Sequence, residues 1–503
     1  MNVKRVYVKH CLAAATAALL TSPLVALDGE PGMHDPSTVV VQDGKYYAYG
    51  TGNGLPISIS DDGWTWRRAG SLMQALPGGR PGEAVLARGG NNTWAPDVIR
   101  SGDKYFVYYS APGTQPKSAI GLLIGKTLDP NSADYKWEDG GPVVWSDGVE
   151  DSNAIDPGLF RDPTNGSLWL TYGSYFGYIR LVELNPKTGQ RLYPNRKPVN
   201  VAINGEASVM IFRDGWYYLL VTHGSCCAGA NSSYNIRMGR AKKVTGPFID
   251  NMGIDMLMGG GKLFLGSGGR YVGAGHFGLL DLGDEIQKFS CHYEADLDRG
   301  GISVLDIRPL LWRDGWPVAG ENFKESTYQI ESARTGTTLE LAVQGTPVGG
   351  LRGRGGRGGA GAAGGKPIPA QDAEQVSANW PSGLVNVRMS PYLVQAQQHW
   401  TITPVANVGG YPGSPYFKIT IAGTDRALAA TEDRELVTLA SFTGGPEQLW
   451  RIDQLTDGTY RVTPKAIPNS QDTLVLSAVG SSMPTLARFN PESDRQRWLF
   501  KRP

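Results

Sequence analysis

Four carboxylates and one histidine recur at similar places in a repeated pattern. They are Asp35 in MHDPS, Asp97 in TWAPDV, Asp156 in NAIDPG, Glu206 in GEASVM and His276 in GAGHFG. Each stands 5 to 10 residues before a glycine in a polar turn: Gly44, Gly102, Gly166, Gly215 and Gly283. Taken singly, Asp35 before Pro36 reads as a turn or cap. Gathered in one water-filled pocket, such groups cannot titrate alike, because like charge and partial burial push their pKa values apart. One carboxylate stays ionised as a base while another keeps its proton as an acid. Two carboxyls in those states on either side of a sugar linkage can hydrolyse it. The outcome is inversion at a separation of about 6.5–9.5 Å and retention at about 5–5.5 Å. The alternative is that the five residues only close a channel with polar contacts and water. Sugar faces also need apolar platforms, and Trp94, Tyr175, Phe176 and Tyr234 lie close in sequence to the acidic positions. Each of these aromatics could equally be a core residue.

The elements that must position these groups are strands. Each turn glycine sits in or beside an aromatic run: DGKYYAYG from Asp43, SGDKYFVYYS from Ser101, TNGSLWLTYGS from Thr164, RDGWYYLLVT from Arg213 and LGDEIQKFSCHY from Leu282. The runs alternate apolar and polar residues, the strand period, and the turns carry hairpin dipeptides. The glycines are separated by 58, 64, 49 and 68 residues, with no long amphipathic helix between them. Five copies of one hairpin at that period predict a five-bladed β-propeller. Its innermost strands would aim the five polar residues at a common axis.

A second repeat follows. Gln398-His399-Trp400, Gln448-Leu449-Trp450 and Gln496-Arg497-Trp498 are spaced 50 and 48 residues apart, each leading into a short strand. Threefold repetition with one Trp per unit argues for threefold pseudosymmetry, and the Gln-x-Trp units resemble those of a β-trefoil. The fold class is therefore all-β, a five-bladed β-propeller followed by a β-trefoil. The expected division is a signal peptide at 1–27, a catalytic propeller at 28–320 and a trefoil at 325–503, with a Gly-rich insertion at about 345–370. The signal reading rests on basic MNVKRVYVKH followed by apolar CLAAATAALLTSPLVA, a run too short for a comfortable membrane span. Secretion, extracellular or periplasmic, and no membrane span are expected; an uncleaved anchor is the alternative. Once Cys11 leaves with the signal, Cys226, Cys227 and Cys291 remain, an odd number that is no disulfide framework. Adjacent Cys226 and Cys227 read as two small buried thiols in preference to a vicinal disulfide. A net charge of +1 gives no reason to expect nucleic acid, and LRGRGGRGG at 351–359 reads as a solvated linker.

The first domain resembles family 43 glycoside hydrolases, and within them the endo-1,5-α-L-arabinanases. The ordered motifs that carry the resemblance include HDPS (34–37), WAPDV (94–98), NAIDPGLF (153–160), YGSYFGYIRLVELNPKTG (172–189), GEASVMI (205–211), SCCAGANSSYNIRMGRA (225–241), GAGHF (273–277) and HYEAD (292–296). The second domain is similar to ricin-type lectins, whose Gln-x-Trp residues mostly build the core. The resemblance implies an inverting hydrolase cleaving internal α-1,5-L-arabinofuranosyl linkages. In it Asp35 is the general base, Glu206 the general acid and Asp156 the group that tunes and orients Glu206. It implies calcium held by His276 through a largely water-filled shell. Within the matched motifs, His34, Asn153 and Ser174 join Trp94, Tyr175, Phe176 and Tyr234 as substrate-binding candidates. The expected partner is plant cell-wall polysaccharide, arabinan or arabinose-containing pectin side chains, met by a monomer. Three positions depart from the family pattern: Ser208 replaces Pro, Phe176 stands where Trp is common, and Phe277 follows the central histidine in place of a small polar residue. The first two bear on subsite shape, the third on the metal. An exo-acting arabinofuranosidase or β-xylosidase on the same scaffold, and a non-catalytic carbohydrate-binding propeller, are the competing readings.

Overall fold

A computed structural model describes residues 27–114, 116–149, 152–343 and 380–503. The expected signal peptide up to residue 26 and the Gly-rich stretch at 345–370 lie outside the described residues. Five four-stranded antiparallel units follow one another. Blade 1 is Val40–Gln42, Lys45–Tyr49, Pro56–Ser60 and Thr65–Ser71. Blade 2 is Trp94–Ser101, Lys104–Pro112, Ser118–Gly125 and Trp137–Ser146. Blade 3 is Gly158–Arg161, Leu168–Tyr172, Tyr178–Leu184 and Val199–Ile203. Blade 4 is Glu206–Arg213, Trp216–His223, Asn235–Ala241 and Lys262–Leu265. Blade 5 is Tyr271–Asp281, Gln287–Asp296, Ile302–Arg313 and Trp316–Ala319.

All five turn glycines have φ between 66° and 77°, the left-handed region where a side chain is strained. That is why the same turn chemistry is legible five times. Apolar residues of adjoining blades pack together, as Leu159, Leu168 and Leu170 of blade 3 do with Phe106, Tyr108 and Leu122 of blade 2. The ring closes through the segment before Asp35. Asp28–Gly29 adds in parallel to the outer strand of blade 1. Pro31 accepts from Leu305 N (2.8 Å), and Met33 N donates to Ser303 O (3.1 Å) on blade 5.

The chain from Ser326–Ser332 to Trp498–Lys501 forms the trefoil. Its three repeat tryptophans are fully buried. Their indoles donate to equivalent carbonyls, Trp400 to Leu339 (2.8 Å), Trp450 to Leu428 (3.1 Å) and Trp498 to Leu476 (2.9 Å). Each repeat glutamine clasps the turn before it. Gln398, Gln448 and Gln496 accept from Leu393 N, Thr443 N and Asn490 N at 2.8, 2.8 and 2.7 Å. Their amides donate to Pro391, Ser441 and Arg488 carbonyls. The Gln-x-Trp unit is thus spent on buried hydrogen bonds that the fold requires. Among the described residues, no helix is long and apolar enough to cross a membrane.

Candidate active site

The inner strands enter the channel through a repeated kink. Asp35, Ala95, Asp156, Ala207 and His276 all adopt positive φ, between 36° and 57°. The pairing of the inner strand with its neighbour shifts at the kink in blades 2, 4 and 5. Such bulges re-aim side chains. In blades 1, 3 and 5 the kinked residue itself carries the functional group. In blade 4 the kink is Ala207, and Glu206 one residue earlier supplies the carboxyl. In blade 2 the kink is Ala95.

This corrects the expectation for Asp97. It lies two residues beyond the kink, is buried, and accepts backbone N–H groups from Thr38 (3.0 Å), Val98 (2.9 Å) and Leu159 (2.8 Å). Asp97 laces three inner strands together instead of joining the cluster.

Asp35, Asp156, Glu206 and His276 do come together. The Asp35 carboxylate accepts from Thr51 Oγ1 (2.5 Å), and its other oxygen is 3.0 Å from His276 Nδ1. His34 Nδ1 and His292 Nδ1 lie 3.5 and 3.6 Å from the same oxygen. Burial alone would raise the Asp35 pKa, but the charge and hydrogen bond of His276, with a further pull from His34, hold it far below the usual carboxylate range. Burial and the neighbouring Glu206 push Asp156 well upward. Burial likewise raises Glu206, against the lowering pull of the Tyr234 hydroxyl and His276. Burial opposes charge on His276, yet Asp35, Asp156 and Glu206 together lift it to about 9. Asp156 accepts from Ala207 N (3.2 Å), which ties it to the strand that presents Glu206.

The sugar-contact candidates divide. Tyr175 and Phe176 are half exposed on the loop after Leu168–Tyr172, with open ring surface. Trp94 is partly exposed, and His34 stands at the mouth beside Asp35. Tyr234 is corrected: it is 3% exposed, and its hydroxyl donates to Glu206, so its ring offers no platform. Asn153 and Ser174 are also buried. Asn153 accepts from Ser118 Oγ (2.6 Å) and donates to Ser174 Oγ (3.1 Å), which fixes the Tyr175–Phe176 loop from beneath. Phe277 turns into the blade core and stacks on Phe289, leaving His276 undisturbed.

The expectation for the cysteines is overturned. Cys226 and Cys227 are exposed and bonded to each other, and among the described residues Cys291 is a buried free thiol. The loop that carries them reaches the site, where Cys227 Sγ lies 3.8 Å from His34 Nε2. Sequence reasoning also missed Thr51, His292 and Glu294. HYEAD carried two of them within a matched motif, but a contact between Asp35 and a residue 257 positions away leaves no local signal.

His276 is the residue whose atoms fit a cation. Its Nδ1 faces Asp35, while its buried Nε2 has no hydrogen-bond partner among the described residues. A carboxylate on one ring nitrogen prepares the other as a ligand, and a cation bound there would have to displace the proton that Asp35, Asp156 and Glu206 favour. One imidazole nitrogen leaves most positions of a hard cation to water.

The family model described as glycosyl hydrolases family 43 matches residues 29–317. A model described as ricin-type beta-trefoil lectin domain-like matches residues 396–482. The chain is 32% identical over 327 residues to an extracellular exo-α-(1→5)-L-arabinofuranosidase of Cellvibrio japonicus, covering 61% of this chain and 92% of that protein. It is also 32% identical over 296 residues to an extracellular endo-α-(1→5)-L-arabinanase of Bacillus subtilis, covering 57% and 87%. Among solved structures it resembles an exo-1,5-α-L-arabinanase from a bovine ruminal metagenomic library, at 36% identity and TM-score 0.53, over 58% of this chain and 97% of that one.

Proposed function

The chain belongs to glycosyl hydrolases family 43 through residues 29–317, and from that membership we propose that it hydrolyses α-1,5-linked arabinan, cutting internal linkages with inversion. The observation that carries the reading is the split among three buried carboxyls. Asp35 is held ionised by imidazoles and Thr51, while Glu206 and Asp156 are pushed toward their protonated forms. Asp35 is then the base that takes a proton from water as that water attacks the anomeric carbon. Glu206 is the acid that delivers a proton to the departing glycosidic oxygen. Asp156 and Tyr234 hold Glu206 in place, and Tyr175 and Phe176 offer ring faces to the sugar. His276 Nε2 with waters would hold calcium, which would supply positive charge at the channel centre. Calorimetric titration of calcium into wild type and His276→Ala tests this, with binding expected only in wild type. Export is proposed from the N-terminal sequence and from relatives named extracellular. The trefoil is proposed to hold the same cell-wall polysaccharide.

An exo-acting reading is supported by relatives named exo-acting, an exo-α-(1→5)-L-arabinofuranosidase at 32% identity and an exo-1,5-α-L-arabinanase at 36%. Products released from debranched linear arabinan decide between the two modes. Oligosaccharides of mixed length, absent with Glu206→Ala, support internal cleavage; a single small product supports the exo mode. No product from any pentose polymer would sink the hydrolase reading. Proton NMR of the first-formed product reads the stereochemistry, and retention would refute Asp35 as a base acting on water.

A further inference from the structure

We propose that His292 and Glu294 are positioning residues for the catalytic base, a buried prop that holds the Asp35 backbone in its left-handed turn. The inference rests on the reading of Asp35 as the base. Asp35 has φ 47°, a conformation strained for a side-chain-bearing residue that persists only where the surroundings impose it. Its N–H points into the protein and donates to His292 Nδ1 at 2.8 Å. His292 is fully buried on the second strand of blade 5, the blade that the segment before Asp35 closes against.

That hydrogen bond fixes the imidazole. Nδ1 accepts, so it carries no proton, and the ring proton must sit on Nε2. Nε2 has no other partner among the described residues and lies 3.6 Å from Glu294 Oε1. His292 and Glu294 are two residues apart on one strand, so both face the channel. Glu294 is itself buried, and its second oxygen accepts from Cys227 N at 3.1 Å. A buried carboxylate needs such compensation. The prop therefore runs from the disulfide loop through Glu294 and His292 to the amide of the base. Orientation of an acid–base group by a neighbour's hydrogen bonds is a recurrent device.

His34, Asp35 and His292 also bring three potential metal-ligating atoms within 4.8 Å of one another. The tautomer argues against a cation there. The Nδ1 lone pair of His292 is engaged by the Asp35 amide, and Nε2 bears the proton.

The test compares His292→Leu, His292→Asn and wild type in the full-length chain, with folding followed by circular dichroism and thermal unfolding. The asparagine amide oxygen stands about where Nδ1 stands and can still accept from Asp35 N. On debranched arabinan, His292→Leu should lose kcat on the order of 100-fold, the penalty of a misplaced reacting group. The loss should be equal in kcat and kcat/KM. His292→Asn should stay within about tenfold of wild type, the worth of one hydrogen bond. Equal losses in the two variants, or a loss confined to KM, would overturn the proposal. A second readout needs no activity. In 15N-histidine-labelled wild type, His292 should be neutral with its proton on Nε2; a proton on Nδ1 would overturn the prop. If His292→Leu does not fold, His292→Asn and the spectrum decide. A wild type that cleaves no pentose polymer would refute the functional reading instead, while the spectrum still tests the contact.

Discussion

The Asp35 carboxylate receives the Thr51 hydroxyl on one oxygen and faces His276 Nδ1 with the other, whereas Glu206 receives one phenol hydroxyl in a mostly desolvated place. Those surroundings, more than the side chains themselves, carry the proposed assignment of base and acid. Three variants test this at the residue scale. Glu206→Ala should lose most activity on arabinan but much less on an aryl arabinoside with a good leaving group, because acid assistance is worth about 10²–10⁴-fold only where the leaving group needs it. Asp35→Ala should lose activity on both, because water must be activated in either case. Equal and mild losses in both variants on both substrates would refute the roles. Tyr234→Phe removes a donor that favours the ionised form of Glu206, so the Glu206 pKa should rise. The acid works protonated, and activity falls as pH climbs through that pKa. The alkaline limb of the kcat/KM profile should therefore move to higher pH in Tyr234→Phe, and a shift to lower pH would contradict the assignment.

Along each inner strand, the left-handed kink decides which residue looks into the channel. At Ala207 the strained φ of 48° buys only the placement of its N–H on Asp156 and of Glu206 beside it. Ala207→Gly keeps that N–H and relieves the strain, so its stability should match wild type or exceed it by up to about 1 kcal/mol. A β-branched residue is far less tolerant of this region, and Ala207→Val should lose about 2 kcal/mol or more. Urea unfolding of the full chain reads both values, and equal losses in the two variants would show that strain is not the issue. The kink also explains what could be read without a structure. Turn glycines, aromatic strands and Gln-x-Trp units are local patterns, and each returned in its place. A bulge inserts one residue without any compositional mark, so Asp97 and Ala95 could not be ranked from spacing alone. Thr51, His292 and the Cys227 amide act across blades, and Tyr234 meets Glu206 from the far end of a loop. Such contacts are set by closure of the ring rather than by neighbours in the chain.

At the scale of the whole molecule, strand alternation places the site at one end of the inner strands and the Gly44-type turns at the other. The trefoil docks on the turn end. Gly413 N donates to Gly63 O, Thr456 N to Glu285 O and Gly410 N to Asp62, all away from the carboxylate cluster. Among the described residues, these contacts join the trefoil to the turn end and not to the carboxylate cluster. Its joint contains a buried ionic group. Lys288 of blade 5 donates to the Pro412 carbonyl and lies 3.9 Å from Asp453, which also meets Arg451 at 2.5 Å and Arg461 at 3.6 Å. Burial pulls Lys288 down to about 8 against the attraction of Asp453. Burial would raise Asp453, but Arg451 and Lys288 hold it low. The unfolded lysine titrates near about 10.4. Between about pH 8 and 10.4 the unfolded chain thus binds more protons, and stability from this group rises with pH through that window. Lys288→Met should abolish the rise while leaving Asp453 paired with two arginines, at little cost near pH 7. Asp453→Leu strands three cations in the joint and should cost about 3–5 kcal/mol. Scanning calorimetry of the three proteins at pH 7 and pH 10 separates these effects. A wild type whose melting temperature relative to Lys288→Met does not increase between those pH values would show that Lys288 is not held deprotonated by the interface.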